Sequence, residues 1–377
     1  MKKLLSYFVI LGTVFAGVVG GAKAGHAMDI YNNDGVNVAL DGSFAGYAVY
    51  ENNDALYGKR WQAIGYGNIG ASIEKEFEDF SVGIHTALKA VPETQYSDEE
   101  TKIGEIYASI ENNYGRIELG NTPNISRKIH IFTPDVAIMD MGGTNGLDYI
   151  LRKNDVALLT TTAINTDENK TKVSYVSPKF YGLQIAGSYI PRTKDVDVLL
   201  EEFEEKDSNE IEDGFTYGVK YSYSGDVDFK LSASVAKFNV ENENEIINDK
   251  KTRDEYSLGA LLYRKGLQFT TSYRHIKERR LLEDGEIKGY VADAGIAYEI
   301  GPLSTSITQR HSKIVDEDDL NTREKENNRM DLTLLSAKYE LNKYTAFSLG
   351  SGRIAFDGED NHKNVGVLFI TGIILNI

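Results

Sequence analysis

The sequence predicts an all-β chain, a 16-stranded antiparallel transmembrane β-barrel behind an N-terminal leader. Three observations predict it. Apolar and polar residues alternate with period two over most of the chain, which gives a strand two unlike faces. Connections between these runs alternate between short and long, as in barrels with short turns at one end and long loops at the other. After the leader, no stretch approaches the ~18 consecutive apolar residues of a spanning helix. Helices and closed barrels are the structures that satisfy their own backbone in lipid, so a membrane-crossing chain of this pattern is a barrel.

The leader comes first. Lys2 and Lys3 precede an apolar stretch from Leu4 to Val19, and small residues follow at Ala22-Lys23-Ala24 and Gly25-His26-Ala27. That order predicts a secretory signal peptide over 1–27, leaving 28–377 as one barrel domain. The chain carries a formal net charge of −16 and no cysteine. Phosphate binding needs a basic face, so a nucleic-acid partner is not expected. Without cysteine no disulfide staples the fold. The dense acidic runs at 201–213 and 316–319 read as solvated loops, with divalent-cation binding beside lipid headgroups as the sharper alternative.

The strands follow in order at 36–49, 61–77, 80–90, 102–111, 116–121, 170–177, 182–190, 214–223, 226–238, 254–263, 266–276, 288–299, 302–312, 329–341, 343–355 and 364–376. In one of them Phe215, Tyr217, Val219, Tyr221 and Tyr223 alternate with Thr216, Gly218, Lys220 and Ser222. Short turns fall at places such as Glu78-Asp79, Ser224-Gly225-Asp226, Lys265-Gly266 and Gly301-Pro302. Longer polar segments, near 50–60, 91–101, 122–169, 191–213, 239–253, 277–287, 313–328 and 356–363, form the other end. Tyrosines near strand ends (Tyr47, Tyr50, Tyr107, Tyr175, Tyr189, Tyr223, Tyr256, Tyr290, Tyr298, Tyr339 and Tyr344) are expected to form interfacial girdles.

Three segments carry a family resemblance. Met28-Asp29-Ile30-Tyr31-Asn32-Asn33-Asp34-Gly35 resembles the opening of mature general porins of Gram-negative bacteria, and favours cleavage after Ala27. Lys172-Val173-Ser174-Tyr175-Val176-Ser177-Pro178-Lys179-Phe180-Tyr181-Gly182-Leu183 resembles the hairpin after that family's constriction loop. Gly115-Arg116-Ile117-Glu118-Leu119-Gly120-Asn121 resembles the strand leading into it. The chain ends on Ile377 where the family usually ends on an aromatic residue.

The resemblance implies an outer-membrane, homotrimeric, water-filled channel in contact with outer-membrane lipid, passing small hydrophilic solutes and ions without a cofactor. It also implies an inward-folded third loop, here 122–169, whose acidic side is carried onto Asp140, with Asp135 and Asp148 as further candidates. The opposing basic wall departs from the family: Asp41, Ser43 and Asn121 stand where basic residues are usual. Strand parity instead places Arg116, Lys172, Lys220, Lys230, Arg274 and Arg310 in the lumen, along with the acidic Asp41, Asp228, Asp293 and Glu299. Arg152 and Lys153, at the exit of the third loop, are expected nearest the constriction. Facing charges of opposite sign set ion preference, and the overall acidity predicts a mild preference for cations.

Enzyme readings fare worse. Gly65-Tyr66-Gly67-Asn68-Ile69-Gly70 matches a dinucleotide fingerprint, but its flanks alternate as a strand where a helix must open. The six histidines lack metal-site spacing, and there is no Gly-x-Ser-x-Gly elbow. Two other classes remain: a plugged or narrow barrel acting as a receptor or adhesin through its outer loops, and a soluble carbohydrate-binding β-sandwich.

Overall fold

The computed structural model describes residues 28–53, 58–90, 102–134, 136, 159–167, 169–193, 209–242, 250–280, 286–316, 326–358 and 363–376. The strands are β1 (Met28–Asn33), β2 (Val36–Asn53), β3 (Gly58–Glu76), β4 (Phe80–Ala90), β5 (Lys102–Asn112) and β6 (Gly115–Asn121). A short helix, α1 (Ile125–Ile129), follows. Then come β7 (Thr171–Val176), β8 (Leu183–Ile190), β9 (Asn209–Tyr223), β10 (Asp228–Asn242), β11 (Lys250–Arg264) and β12 (Leu267–Arg280). The last are β13 (Glu286–Ile300), β14 (Leu303–Asp316), β15 (Glu326–Asn342), β16 (Thr345–Asp357) and β17 (Lys363–Asn376).

Every strand from β2 to β17 pairs antiparallel with its chain neighbours, and β17 returns to pair with β2, so sixteen strands close the barrel. β17 covers β2 from Ser43 to Asn53, and β1 pairs with the remainder, from Val36 to Leu40. The sequence reading missed β1. Its signal was the Asp34-Gly35 pair, both at positive φ (51° and 70°), the backbone of a two-residue hairpin turn. Lys265-Gly266 repeats it at 48° and 85°.

Several strands run further toward the long connections than their apolar alternation does. β9 starts at Asn209, β12 reaches Arg280 and β15 starts at Glu326. Ladder bonding is a backbone property and continues where both faces turn polar. The Gly65–Gly70 stretch lies inside β3, as strand.

The two faces are inverted relative to a soluble protein. Ile84, Ile110, Leu119, Ile185, Leu258, Phe269, Ile296, Leu335 and Phe369 are all exposed on the outer wall. Residues next to several of them in sequence point inward and are polar and buried: Glu118, Ser257, Thr270 and Ser336. On β13 the outer band runs from Tyr298 to Tyr290, roughly 26 Å of strand. With strand tilt this crosses most of a ~25 Å apolar layer. Two expected girdle tyrosines point the other way. Tyr47 is packed among inward Met330, Leu334 and Leu368, and Tyr107 stacks inside on His85 at 4.8 Å. Both sit one residue out of phase with their outward neighbours, Tyr50 on β2 and Ile106 on β5, and ring type alone could not reveal that.

The inner wall is not uniform. Across β15, β16, β17 and β2 it is apolar, with Met330, Leu332, Leu334, Ile354, Phe356, Leu368, Ile370 and Val49 in one buried cluster. Across β7 and β9–β14 it carries serines, threonines and ion pairs, with smaller apolar clusters toward the long connections: Ile211, Phe238 and Val240 in one, Ile276, Ile287, Val291 and Ile314 in another.

Candidate functional site in the barrel lumen

The polar half of the inner wall is built by parity. On β11, Arg253, Glu255 and Ser257 face in; on β12, Ser272, Arg274 and Glu278 do; on β13 and β14, Asp293 and Arg310. Register sets the charges against each other. Arg253 stands opposite Glu278, and Asp293 opposite Arg310. The result is a row of buried pairs. Arg253 Nε donates to Glu278 at 2.7 Å, and Arg274 Nε to Glu255 at 2.8 Å. Arg310 donates to both oxygens of Asp293, at 2.8 Å each. Lys172 pairs with Asp167 at 3.0 Å. Such charges are held by partners because an uncompensated buried ion is costly.

Two chain segments lie along this wall. In 122–134, Asn124 caps α1, accepting from the Ser126 N–H at 2.6 Å. Its amide donates to Asp167 (2.6 Å) and Thr216 (3.0 Å). Ser126 meets Ser257 at 3.0 Å, the Ile131 N–H donates to Ser232 at 3.2 Å, and the Val136 N–H to Ser306 at 3.3 Å. In 159–167, Arg274 donates to Asn165 (2.7 Å) and Thr166 (3.2 Å), and Thr162 to Ser272 (3.0 Å). The Thr160 carbonyl accepts from Arg310. Arg253 also donates to Thr166, at 3.4 Å. The arginines thus do two things at once: each neutralises a carboxylate and ties the segment to the wall.

His130 joins the two segments, with Nε2 in a hydrogen bond to Thr162 at 3.0 Å. Burial above all, with Arg274 and then Lys220 nearby, holds its imidazole far below the usual range, at about 3. It is neutral at any ordinary pH. Burial likewise pulls the Lys128 ammonium down, against the opposing pull of its partner Glu118.

A second group lines β3–β6. Arg116 reaches Glu118 at 3.2 Å, Glu111 at 3.4 Å and His85 at 2.9 Å. Lys220 and Lys230 also face in, on adjacent strands and diagonal to each other. Among the described residues neither makes an ion pair, which sets them apart from the arginines.

Of the residues expected at the constriction, Arg116, Lys172, Arg274 and Arg310 thus face the lumen, each beside a carboxylate. Asp135, Asp140, Asp148, Arg152 and Lys153 lie outside the described residues. Arg253, Glu255 and Glu278 were not singled out from sequence. Glu278 and Arg253 fall in stretches that read as loops, and Glu255 sits in a strand whose alternation gives the face of a side chain without its partner. Among the described residues no group of three or more His, Asp or Glu could hold a metal ion.

The family model for Gram-negative porins matches residues 12–359. Solved structures share the fold. An anion-selective porin from Comamonas acidovorans is 16% identical, with TM-score 0.65, covering 91% of this chain and 100% of that one. The outer membrane channel DcaP of Acinetobacter baumannii is 15% identical, with TM-score 0.66, covering 93% and 100%. Salmonella typhi OmpF, in complex with daunomycin, is 14% identical, with TM-score 0.64, covering 93% and 100%. No curated protein sequence matches at a significant level.

Proposed function

The chain belongs to the Gram-negative porins, an outer-membrane channel family, and from that premise we propose that it forms a water-filled pore for passive diffusion of small hydrophilic solutes and ions. The observation that carries this reading is the sixteen-strand closure around an inner wall rich in serine, threonine and charge. A barrel of that strand number is wide enough for an aqueous channel. No covalent step or cofactor is needed. The leader 1–27 is removed after Ala27, and three copies assemble through their barrel walls.

Segment 122–169 narrows the pore in this reading, with its described ends tied to β9–β14. Asp140, assisted by Asp135 and Asp148, forms the acidic side of the narrowing, and Arg152 and Lys153 the basic side. The pore prefers cations mildly. The net charge of −16 supports this, as does the pairing of Arg116, Lys172, Arg274 and Arg310 with carboxylates, which cancels their charge; the inward Lys220 and Lys230, without ion pairs among the described residues, act against it. One observation favours a second reading, a narrow or plugged barrel that binds a partner through its outer loops: the inner wall of β15–β17 and β2 is apolar and buried.

Planar-bilayer recording in a salt gradient tests both. A diffusion pore gives ohmic steps in groups of three and a reversal potential on the cation side. Asp140→Asn then moves that potential toward anions and Arg152→Ala toward cations. A folded barrel without conductance overturns the channel reading in favour of the receptor.

A further inference from the structure

Near the short-turn end of the polar inner wall two cations stand apart. Arg116, Lys172, Arg253, Arg274, Arg310 and Lys338 each sit beside a carboxylate. Lys220 on β9 and Lys230 on β10 have no such partner among the described residues. Parity turns both inward: Lys220 continues the face of buried Thr216, and Lys230 that of buried Ser232 and Ser234. Register makes them diagonal neighbours, Lys220 opposite Ser232 and Lys230 opposite Ser222. Such neighbours lie about 7–8 Å apart at the backbone, so two long, flexible lysine stems can bring their ammonium groups onto one ligand.

The surroundings add to this positive charge. The charges acting on Lys220 are Lys230 first and Lys179 second, the latter in the turn between β7 and β8. Asp228, one inward position nearer the turn than Lys230, accepts from the Gly225 N–H at 3.3 Å and makes no ion pair among the described residues. Lys220 and Lys230 are both half-buried. Like charges side by side and partly removed from water are unfavourable until an anion offsets them. The pair also has a ceiling. One inward step toward the long connections, Ile129 of α1 lies over Gly218, and the Ile131 N–H donates to Ser232 at 3.2 Å. The lysines therefore sit directly beneath segment 122–134, on its short-turn side. Gln184, opposite Lys220, donates through Nε2 to the Ser177 carbonyl at 3.1 Å, which leaves Oε1 to accept. Ser222 faces in beside it.

We propose that Lys220 and Lys230 form a binding site for a dianionic phosphate group, free or carried by a small sugar, at the short-turn end of the lumen. The site rests on the aqueous lumen proposed above, through which such a solute reaches the pair. Two ammonium groups match the two charges of a phosphate monoester, and each rotates its donors onto the oxygens as a point charge. A single carboxylate would leave one of them uncompensated. The Gln184 oxygen and the Ser222 hydroxyl face the same space and suit the hydroxyls of a sugar. In a chain of net charge −16 the pair gives phosphorylated solutes a foothold beneath the narrowing, apart from the charges between Asp135 and Lys153.

Saturation-transfer NMR on the detergent-folded barrel, with glucose-6-phosphate and glucose as the two probes, tests the site without needing a current. The proposal expects transfer to glucose-6-phosphate at least fivefold stronger than to glucose. Lys220→Gln/Lys230→Gln lowers the first signal to the level of the second, and Lys220→Arg/Lys230→Arg keeps it. Lys237→Gln, on the outer face of β10 opposite Phe215, leaves it unchanged. Equal signals for the two sugars, or an undiminished signal in the glutamine variant, overturn the proposal. Displacement by equimolar inorganic phosphate assigns the site to the free dianion and persistence assigns it to the phosphorylated sugar; both keep the phosphate site. A barrel that binds glucose-6-phosphate and carries no current in a bilayer removes the channel and leaves the site. One that conducts and shows no transfer removes the site alone. The two-sugar comparison on the unaltered protein stands even if the glutamine variant fails to fold.

Discussion

Arg274→Met is the most informative single change in the lumen. Arg274 and Glu255 are both fully buried, 2.7 Å apart at the closest, and the arginine also donates to Asn165 and Thr166. Removing the guanidinium leaves the Glu255 carboxylate without a cation in a site closed to solvent, which costs about 3–5 kcal/mol. Glu255→Met strands the arginine at similar cost. Arg274→Met/Glu255→Met removes both charges and leaves an apolar pair, so its cost falls well below the sum of the two. Urea unfolding in detergent, followed by the fluorescence of the single tryptophan, Trp61, on the outer wall, gives the three midpoints. The same variants have an electrical signature. The single Arg274 variant shifts reversal potential toward cations, and the double variant restores it, because the pair is neutral as it stands. Single variants that each cost under about 1 kcal/mol, the range of exposed pairs, would refute the idea that this row is buried and self-neutralising.

Other expectations follow from the same structure. His130 is neutral in the folded barrel down to about pH 3, whereas in the unfolded chain it takes up a proton near its ordinary value. The unfolded state therefore binds more protons between those two values, and stability falls as pH drops through that window; His130→Gln lessens the fall, measured as the difference in urea midpoint between pH 7 and pH 4. Ala294→Arg puts a charge midway between Tyr290 and Tyr298 on the outer wall and costs about 2–4 kcal/mol in lipid; refolding into vesicles under urea reads it, and a cost near zero would contradict the assignment of faces. At Gly120 φ is +136°, and a Cβ would sit 2.4 Å from the Ile106 carbonyl oxygen. Gly120→Ala is therefore expected to cut the yield of folded barrel severely, seen by heat-modifiable mobility on electrophoresis.

The strand plan was legible because alternation and turn chemistry are local. Sixteen strands and their short turns, such as Lys265-Gly266, could be placed from period two and from residues that accept positive φ. β1 was lost because six residues before a hairpin turn carry little alternation. Strand ends were lost where alternation stops but pairing continues, as between 276 and Arg280 on β12. Within the lumen, parity placed Arg274 and Arg310 on the correct face, since a face is set by counting. It could not supply their carboxylates. Glu255 is two register steps from facing Arg274, and Asp293 faces Arg310 across a strand boundary. Those are facts of inter-strand register, which no single segment contains. The apolar inner wall of β15–β17 and β2 was missed for another reason: Leu332, Leu334 and Leu335 in sequence give no sign of which leucines face lipid and which face inward.

The central claim is an open aqueous path through the barrel. Swelling of vesicles containing the purified protein, in isotonic solutions of sugars from a pentose to a tetrasaccharide, tests it most directly. The account predicts fast swelling with the smallest sugar and a steep, smooth decline with size, unaltered in order by the identity of the sugar. No swelling with any sugar, from protein shown by circular dichroism to be folded, would contradict it.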